Sequence, residues 1–307
     1  MTIGLPVYNG GAQIEVALDS ILKQTYPNIQ VVISDNASTD DTREVCEHFC
    51  AQDPRFHYFR QPVNTGPTSN FQVVLDRAEG EFFMWLGHDD WLSENYIEEC
   101  AKALFENPDV SLACGQAVYH ENGEERRHGV PMQLSQERPS ERVSTYYDMV
   151  TDNGTFYGLM RREQLIQVKS HNVMGADWLT IASMAFMGKV MTLPTISVNR
   201  TVGGSSGSYE RIARVLGLPR FQALFPHVAI AYFAFKDIIW SDPLYGRSLK
   251  GFQRLRLAWK CQRSIRLRHG ASAWDVFRKT LSLCKQRWKS LIGRDCNELD
   301  DPTEPGT

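Results

Sequence analysis

The sequence lacks a long apolar segment of the kind that crosses a membrane, which takes roughly 20 residues. The nearest candidate, residues 228–240, contains Lys236 and Asp237, so a buried helix explains it better. The first residues also lack the basic segment and the small-residue cleavage site of a secretory signal. We therefore expect a protein that acts in the cytoplasm.

Cysteine is scarce and irregularly placed. The seven cysteines include no Cys-x-x-Cys pair with a matching second pair, which argues against structural zinc and against a disulfide framework. The first predicted strand is not followed by Gly-x-Gly-x-x-Gly, which disfavours a dinucleotide-dependent oxidoreductase. The loop at residues 8–13 carries no Arg or Lys, and this disfavours a nucleotidyltransferase, which stays open as a weaker alternative.

Acidic residues are nearly absent from one part of the chain. The net charge is −3, yet Asp275 is the only acid within residues 245–294, where Arg and Lys are frequent. Residues 248–268 and 272–292 show apolar positions at three-to-four spacing with basic residues between them. This pattern predicts two basic amphipathic helices.

Basic amphipathic helices can lie on anionic lipid, and Trp259, Trp274 and Trp288 would suit the interface. Alternatively, the helices pack their apolar faces on the rest of the protein and leave their charges in water. Nucleic acid is not expected as a partner, because nothing else in the sequence supports it. We predict a catalytic domain at residues 1–205 and a basic helical region at residues 206–307.

The first 120 residues alternate between strand and helix signals. Apolar or β-branched segments predict strands at residues 3–7, 29–33, 56–59, 82–86 and 110–119. Helical spacing or capping residues predict helices at residues 12–24, 41–50, 71–78 and 93–105. This alternation is typical of a parallel sheet with helices on both sides, where ligands bind at the carboxyl ends of the strands.

The next hundred residues are less regular. The polar stretch at 121–144 predicts a long loop or lid. Residues 155–160 and 189–193 are strand-like, and residues 176–186 predict a helix. A Gly- and Ser-rich stretch at residues 202–209 predicts flexibility, and we place the domain boundary there.

Two polar pairs follow predicted strands. Asp35 and Asn36 can hydrogen-bond a base edge or a ribose hydroxyl, or they simply make a turn. Asp89 and Asp90 follow a buried strand, and adjacent carboxylates there need a positive partner. A divalent cation carrying a diphosphate is one such partner, because Mg²⁺ and Mn²⁺ prefer oxygen ligands; an exposed helix-capping turn is the alternative.

A third acid, Asp177, precedes Trp178 near the start of a predicted helix. A carboxylate in such a place can act as a general base with a shifted pKa. The alternative is a favourable position at the positive end of a helix.

Ordered segments of the chain resemble a known family. In chain order these segments are residues 4–9, 20–26, 33–40, 64–66, 80–82 and 86–90, then Asp177 and residues 188–190 and 193–194. Together they resemble the family 2 glycosyltransferases over roughly residues 1–200. An ordered set of this length is far more specific than any single motif.

The resemblance implies a GT-A fold, which is a Rossmann-like α/β domain with a mostly parallel sheet flanked by helices, here with a C-terminal helical extension. It implies an inverting enzyme that moves a hexosyl or deoxyhexosyl group from a nucleoside diphosphate sugar to an acceptor hydroxyl. The acceptor would be a saccharide or lipid-linked, as in bacterial surface polysaccharide or glycoconjugate synthesis. The enzyme would act in the cytoplasm, peripherally on the inner face of the plasma membrane.

The resemblance also implies residue roles. Asp177 would be the catalytic base, and Asp89 and Asp90 would hold Mn²⁺ or Mg²⁺ at the diphosphate. The donor-binding residues it implies are Pro6, Tyr8, Asn9, Asp35, Asn36, Asn70 and Asp89.

Four positions depart from the family pattern. Gly87, Asn36, Gly10 and Ala176 stand where many members have acids. A sugar-nucleotide-binding module of the same fold that no longer catalyses is therefore the main alternative.

Overall fold

The computed structural model describes residues 1–203, 208–241 and 243–270. Within these ranges the strands are β1 (Thr2–Val7), β2 (Gln30–Asp35), β3 (Phe56–Arg60), β4 (Phe82–Trp85), β5 (Asp90–Leu92), β6 (Val110–Glu121), β7 (Glu124–His128), β8 (Leu159–Arg161) and β9 (Lys189–Thr201). The helices are α1 (Gly11–Leu22), α2 (Thr42–Gln52), α3 (Pro67–Asp76), α4 (Tyr96–Glu106), α5 (Pro139–Met149), α6 (Arg162–Leu165), α7 (Ala176–Met187), α8 (Tyr209–Val215), α9 (Arg220–Leu224), α10 (Pro226–Lys236), α11 (Pro243–Ser248) and α12 (Gly251–His269). A 3₁₀ turn spans Gly154–Tyr157, and a π-helical turn spans Asp237–Ser241.

The strands form one mixed sheet in the order β3-β2-β1-β4-β8-β6-β9-β5, with β7 paired to β6. Strands β1 to β4 are mutually parallel, and β6 and β9 are also parallel. The short strand β8 joins the two parallel groups by antiparallel pairing with β4 and β6. The carboxyl ends of β1, β2 and β4 therefore meet at one edge, as the sequence predicts.

Alternate side chains of the central strands fill two cores on opposite faces of the sheet. Phe82 and Met84 of β4 lie in one core, whereas Phe83 and Trp85 lie in the other. The first core is covered by α1 and α4, and the second by α3, α5 and α7. Gly4 permits α3 to approach the sheet, because a Cβ there would lie 2.7 Å from Val74 Cγ2.

The loop expected at residues 121–144 is instead partly ordered structure. A hairpin joins β6 to β7 through Asn122 and Gly123, both with positive φ, and α5 begins at Pro139. Asn-Gly is a strong hairpin signal, and β7 could be mistaken for a loop because all its side chains are exposed and polar. The strand expected at 155–160 is a 3₁₀ turn followed by the short β8, while β9 extends beyond residue 193 to Thr201.

The described part of the C-terminal region packs against the catalytic fold. Helix α10 confirms the buried helix predicted near residues 228–240, and α12 confirms the first basic helix. Both contribute side chains to the same core as α5 and α7. The helix predicted at 272–292 lies outside the described residues, and the boundary after residue 205 stays a prediction. Within the described ranges no helix is both long and apolar enough to cross a bilayer.

Candidate functional site

The loop after β1 is held at the carboxyl edge of the sheet by the loop after β2. The Asn9 backbone N–H donates to Ser38 Oγ at 2.9 Å, and Asn9 Oδ1 accepts from the Thr39 N–H at 2.8 Å. Asn9 itself has a φ of 51°, in the left-handed region that asparagine tolerates better than most residues. Tyr8, beside it, is 45% exposed and is free to face a ligand at this edge.

Asp35 ends β2 and is completely buried. Its Oδ1 accepts from the Ser38 N–H at 2.8 Å, and its Oδ2 accepts from the Tyr58 hydroxyl at 2.7 Å. The Arg60 Nε lies 3.7 Å from the same Oδ2 and supplies a compensating charge. Asp35 therefore fixes the shape of the edge by bonds within the protein.

The other buried residues implied as donor ligands also bond within the protein. Asn36 Oδ1 accepts from the Thr65 N–H at 2.9 Å. Asn70 donates to the Val7 carbonyl at 3.2 Å, which links α3 to the end of β1. Pro6 lies inside β1, buried, opposite Ser34 in the register. The structure thus brings the implied donor residues together, with Tyr8 and Asn9 as the exposed ones.

Asp89 ends the turn between β4 and β5, and Asp90 begins β5; both carboxylates converge on Gly87. A Cβ on Gly87 would lie 2.8 Å from Asp90 Oδ2 and 3.1 Å from Asp89 Oδ1. Glycine is required because the two carboxylates occupy the space beside it. Among the described residues no side chain hydrogen-bonds the half-buried Asp89 carboxylate. Asp90, in contrast, is 1% exposed and forms an ion pair with a basic side chain.

The basic side chain is that of Arg200, which the pairing of β5 with β9 places opposite Asp90. Arg200 is 7% exposed and its Nε donates to Asp90 Oδ2 at 3.1 Å. Its other two nitrogens donate to Asn153 Oδ1 at 2.5 Å and to the Tyr157 hydroxyl at 3.2 Å. One buried guanidinium therefore fixes three side chains, one from β5 and two from the 3₁₀ turn and its N-cap.

The same network reaches Asp177 in the first turn of α7. Asn153 Oδ1 accepts from Arg200, and the Asn153 side chain is near enough to the Asp177 carboxylate to lower its pKa. The Trp178 N–H also donates to Asp177 Oδ1 at 3.0 Å. The acidic motif after β4 and the acid at the start of α7 are thus linked by a continuous chain, Asp90–Arg200–Asn153–Asp177.

Burial changes the proton affinity of these groups. Burial raises the pKa of Asp177 above its ordinary value, and the hydrogen bonds from Trp178 and Asn153 oppose this rise. Burial also raises the pKa of Asp90 to about 6, against the opposing charge of Arg200. For Arg200, burial alone would lower the pKa, but Tyr157 and Asp90 raise it overall, so its charge is retained.

Helices α8, α10 and α12 form an aromatic wall beside Asp177. The Trp178 ring lies 5.2 Å from His269 on α12, which stacks on His227 of α10 at 4.3 Å. Tyr209 of α8 lies 5.9 Å from the His227 ring, and 42% of Tyr209 is exposed. Burial raises the pKa of Tyr209, and the negative charge of Asp177 raises it further.

The described residues contain no cluster of three or more His, Cys, Asp or Glu side chains able to hold a metal. Mg²⁺ at a nucleotide site needs fewer protein ligands than such a cluster provides. One or two carboxylates suffice when phosphates and water supply the remaining ligands. Asp89 provides one such carboxylate at the carboxyl edge of the sheet, and Asp90 keeps one oxygen not bonded to Arg200. The residues present fit this kind of site.

Sequence reasoning selected Asp89, Asp90 and Asp177 but missed the residues that connect them. Arg200 lies 110 positions beyond Asp90, and no local motif marks that pairing. Asn153 lies in an irregular segment with no periodic signal. The roles implied for the individual residues stay predictions.

Comparison with known proteins agrees with this architecture. The model of the glycosyl transferase family 2 domain matches residues 2–168. A putative teichuronic acid biosynthesis glycosyltransferase of Bacillus subtilis, TuaG, is 26% identical over 59% of this chain and 71% of its own length. The chain spans about 15% to 43% of the length of three other bacterial glycosyltransferases, which it matches at 29–34% identity.

Solved structures share the fold at low sequence identity. TarS 1–349 of S. aureus has a TM-score of 0.61 at 17% identity, covering 87% of this chain and 72% of TarS. The mannosyltransferase PcManGT of Pyrobaculum calidifontis, solved with GDP-Man and Mn²⁺, has a TM-score of 0.54 at 16% identity, covering 94% and 80%. With a family domain over more than half of its length and a GT-A fold, the chain belongs to glycosyltransferase family 2.

Proposed function

We propose that this protein is an inverting glycosyltransferase that moves a hexosyl or deoxyhexosyl group from a nucleoside diphosphate sugar to an acceptor hydroxyl. The observation that carries the proposal is the series of neighbouring side chains that runs from Asp90 through Arg200 and Asn153 to Asp177. It joins an acidic motif at the carboxyl edge of the sheet to a half-buried acid with a raised pKa. Two such groups held in one rigid frame are what a group transfer between two substrates requires.

The donor would bind along the edge formed by the loops after β1, β2 and β4. Tyr8 and Asn9 are the exposed members and would contact the nucleoside directly. Asp35, Asn36 and Asn70 would hold the loops in place, and Pro6 would stiffen the end of β1. This division follows from the bonds these buried side chains already make within the protein. TarS has been solved with UDP-GlcNAc and PcManGT with GDP-Man, which supports a nucleotide sugar as donor.

Asp89 would hold a divalent cation, Mn²⁺ or Mg²⁺, together with the donor diphosphate. Asp90 would add its second oxygen, since Arg200 engages the first. When bound, the cation would neutralise charge on the departing diphosphate. Arg200 would hold the Asp90 carboxylate in a fixed position relative to Asn153 and Asp177.

Asp177 would take the proton of the acceptor hydroxyl. Its raised pKa makes it a stronger base than an exposed aspartate, while Trp178 and Asn153 orient the carboxylate. The deprotonated oxygen would attack the anomeric carbon from the side opposite the diphosphate, which inverts the configuration at that carbon. The aromatic wall of Tyr209 and His227 would receive the acceptor, because apolar ring faces with polar tips suit a saccharide.

The acceptor would be a saccharide or a lipid-linked saccharide in bacterial surface polysaccharide or glycoconjugate synthesis. The similarity to TuaG, a putative teichuronic acid biosynthesis glycosyltransferase, supports this proposal. A lipid-linked acceptor would place the enzyme at the inner face of the plasma membrane.

A second candidate is a sugar-nucleotide-binding module that no longer catalyses. It is favoured by Gly87, where many relatives have an acid, and by the ion pair that occupies one oxygen of Asp90. The two candidates differ in turnover, because only the enzyme would consume a bound donor.

The test is Asp177→Asn, which keeps the size of the side chain but removes the base. We expect transfer to fall roughly 10²–10⁴-fold, which is the usual contribution of a general base, while donor affinity changes less than about threefold. Nucleotide release in the presence of a bacterial lipid and polysaccharide extract measures transfer, and calorimetric titration with the donor measures affinity. Asp148→Asn, which makes the same substitution at an exposed position on α5, is the control. Transfer at the wild-type rate by Asp177→Asn would refute the assignment of the base.

A further inference from the structure

The outward face of α12 carries an unusual combination of side chains. Six exposed residues recur at three- and four-residue spacing and so lie on one side of the helix. These residues, called here the α12 outer stripe, are Phe252, Arg256, Trp259, Arg263, Arg266 and Leu267. Phe252 is 78% exposed, Trp259 61% and Leu267 74%, so large apolar side chains face solvent beside three arginines.

The opposite face of α12 fixes the helix in place. Leu257, Cys261 and Ile265 are buried in the core that α12 shares with α5, α7 and α10. Arg254 donates to the Ile238 carbonyl at 2.7 Å, which attaches the start of the helix to the neighbouring turn. Because these contacts prevent rotation, the outer stripe is held outward and cannot bury its aromatic rings within the described part of the chain.

The outer stripe is positively charged without compensation. Residues 251–269 contain no Asp or Glu, and no acidic side chain in the described ranges pairs with Arg256, Arg263 or Arg266. The Arg263 guanidinium lies 5.9 Å from the Trp259 ring centroid. Exposed aromatic and aliphatic groups interleaved with arginine on a fixed helix are typical of a surface that meets anionic lipid headgroups.

We propose that the α12 outer stripe rests on an anionic bilayer, with Phe252, Trp259 and Leu267 entering the headgroup region. The three arginines contact lipid phosphates from the same face. The charge selects an anionic surface, and the apolar side chains supply binding that persists when salt screens the charges. Bilayer contact does not depend on catalysis, but its use for reaching a lipid-linked acceptor rests on the proposed function.

The stripe ends near His269, which belongs to the aromatic wall beside Trp178. His269 follows Leu267 by two residues, which is about 3 Å along a helix axis. Its ring stacks on His227 and lies 5.2 Å from Trp178, the neighbour of Asp177. Two residues also correspond to about 200° around the helix, so the stripe and the aromatic wall lie near the same end of α12 but on different sides of it.

The first test measures binding of the full chain to sonicated vesicles of phosphatidylglycerol and of phosphatidylcholine by co-sedimentation. We expect binding to the anionic vesicles only. Replacing Arg256, Arg263 and Arg266 with Gln should weaken it on the order of a hundredfold at low salt, because each basic side chain near an anionic surface strengthens binding about fivefold. The control replaces Arg43, Arg126 and Arg138 with Gln, which removes the same charge from exposed positions elsewhere.

The second test locates the apolar contact. Trp259→Phe in vesicles of brominated phosphatidylglycerol should lose part of the tryptophan quenching that the wild type shows. Trp259→Ser should weaken binding about tenfold, whereas Val63→Ser, at a comparably exposed apolar residue outside the stripe, should have no effect. All these positions are exposed, so the variants are expected to fold, and circular dichroism confirms it.

Three results would overturn the proposal. One is absence of binding by the wild type to anionic vesicles. Another is equal binding by the three-arginine variant, which would assign any binding to other parts of the chain. The third is binding of duplex RNA, but not vesicles, in an arginine-dependent manner, which would assign the stripe to nucleic acid. Failure of the proposed enzymatic function would show separately, as an absence of donor consumption by a protein that still binds vesicles.

Discussion

Replacement of Arg200 by Met should separate the role of the buried ion pair from that of ordinary packing. Arg200 donates to Asp90, Asn153 and Tyr157, and both members of its ion pair are almost fully buried. Removing one member of such a pair leaves an uncompensated buried charge and costs about 3–5 kcal/mol of folding free energy. That is a large share of a typical stability of about 5–15 kcal/mol.

The cost should depend on pH in a defined direction. The pKa of Asp90 is already raised to about 6 in the folded protein, and loss of Arg200 removes the neighbour that lowers it. An acid whose pKa is higher in the folded than in the unfolded protein destabilises the fold once it is ionised. This destabilisation grows as the pH rises from the unfolded-state pKa through the folded-state pKa. Arg200→Met should therefore lose less stability at pH 5 than at pH 8, measured without metal.

A double-mutant cycle with Asp90→Asn tests the cause. In the Asp90→Asn background Arg200→Met should cost about 2–3 kcal/mol less, because no buried carboxylate is left without a partner. Urea unfolding followed by circular dichroism gives the free energies, and Arg200→Lys serves if the Met variant is too unstable to study. Arg142→Met is the matched control, because Arg142 is buried and donates to backbone carbonyls such as Ala185 O. Additive effects of Arg200→Met and Asp90→Asn at pH 8 would refute the reasoning.

Three further predictions concern the reaction. Activity should fall as the pH decreases through a pKa above the ordinary aspartate value of about 3.9, because Asp177 must be deprotonated to act as the base. Asn153→Ala should shift this acidic limb of the pH profile to higher pH, because Asn153 lowers the pKa of Asp177. A kcat/KM profile that is flat from pH 4.5 to 8 would contradict it. Gly87→Ala should weaken manganese-dependent nucleotide binding about tenfold in a calorimetric titration, because the new Cβ would lie 2.8 Å from Asp90 Oδ2. Unchanged affinity would show that nucleotide binding does not depend on the space beside Gly87. Tyr209→Ala should raise the KM for the acceptor several-fold and leave donor hydrolysis unchanged. An unchanged acceptor KM with altered donor hydrolysis would show that the acceptor does not bind at the aromatic wall.

The parallel half of the sheet could be predicted because its signals are local. Apolar strands such as Phe82–Trp85 are followed directly by polar loops, and the carboxyl ends of parallel strands must meet. The acids after β2 and β4 were found in this way. Helix α7, with Asp177 in its first turn, was also predicted from local spacing.

What the sequence left open depends on contacts between distant segments. The register of β5 against β9 pairs Asp90 with Arg200, and this register is set by the packing of the sheet as a whole. The aromatic wall beside Asp177 requires α8, α10 and α12 to pack at the start of α7. Gly175 allows this, because a Cβ there would lie 2.4 Å from Ile230 of α10. No local pattern specifies these distances.

The same limit applies to the basic C-terminal helices. Periodicity predicted that α12 is amphipathic but left open whether its apolar face meets the protein or a membrane. The structure shows that one face is buried with Leu257 and Ile265, while Phe252 and Trp259 remain on the other. Both alternatives can therefore hold for different faces of the same helix.

The most direct test of the central claim is thermal stability of the full chain against nucleoside diphosphates and their sugars, with and without Mn²⁺. The account predicts that one nucleotide raises the melting temperature in a manganese-dependent manner, since a ligand at a hundred times its Kd adds about 2.7 kcal/mol of stability. Asp89→Asn should lose the manganese dependence. Well-folded wild-type protein that shows no shift with any nucleotide would contradict the account.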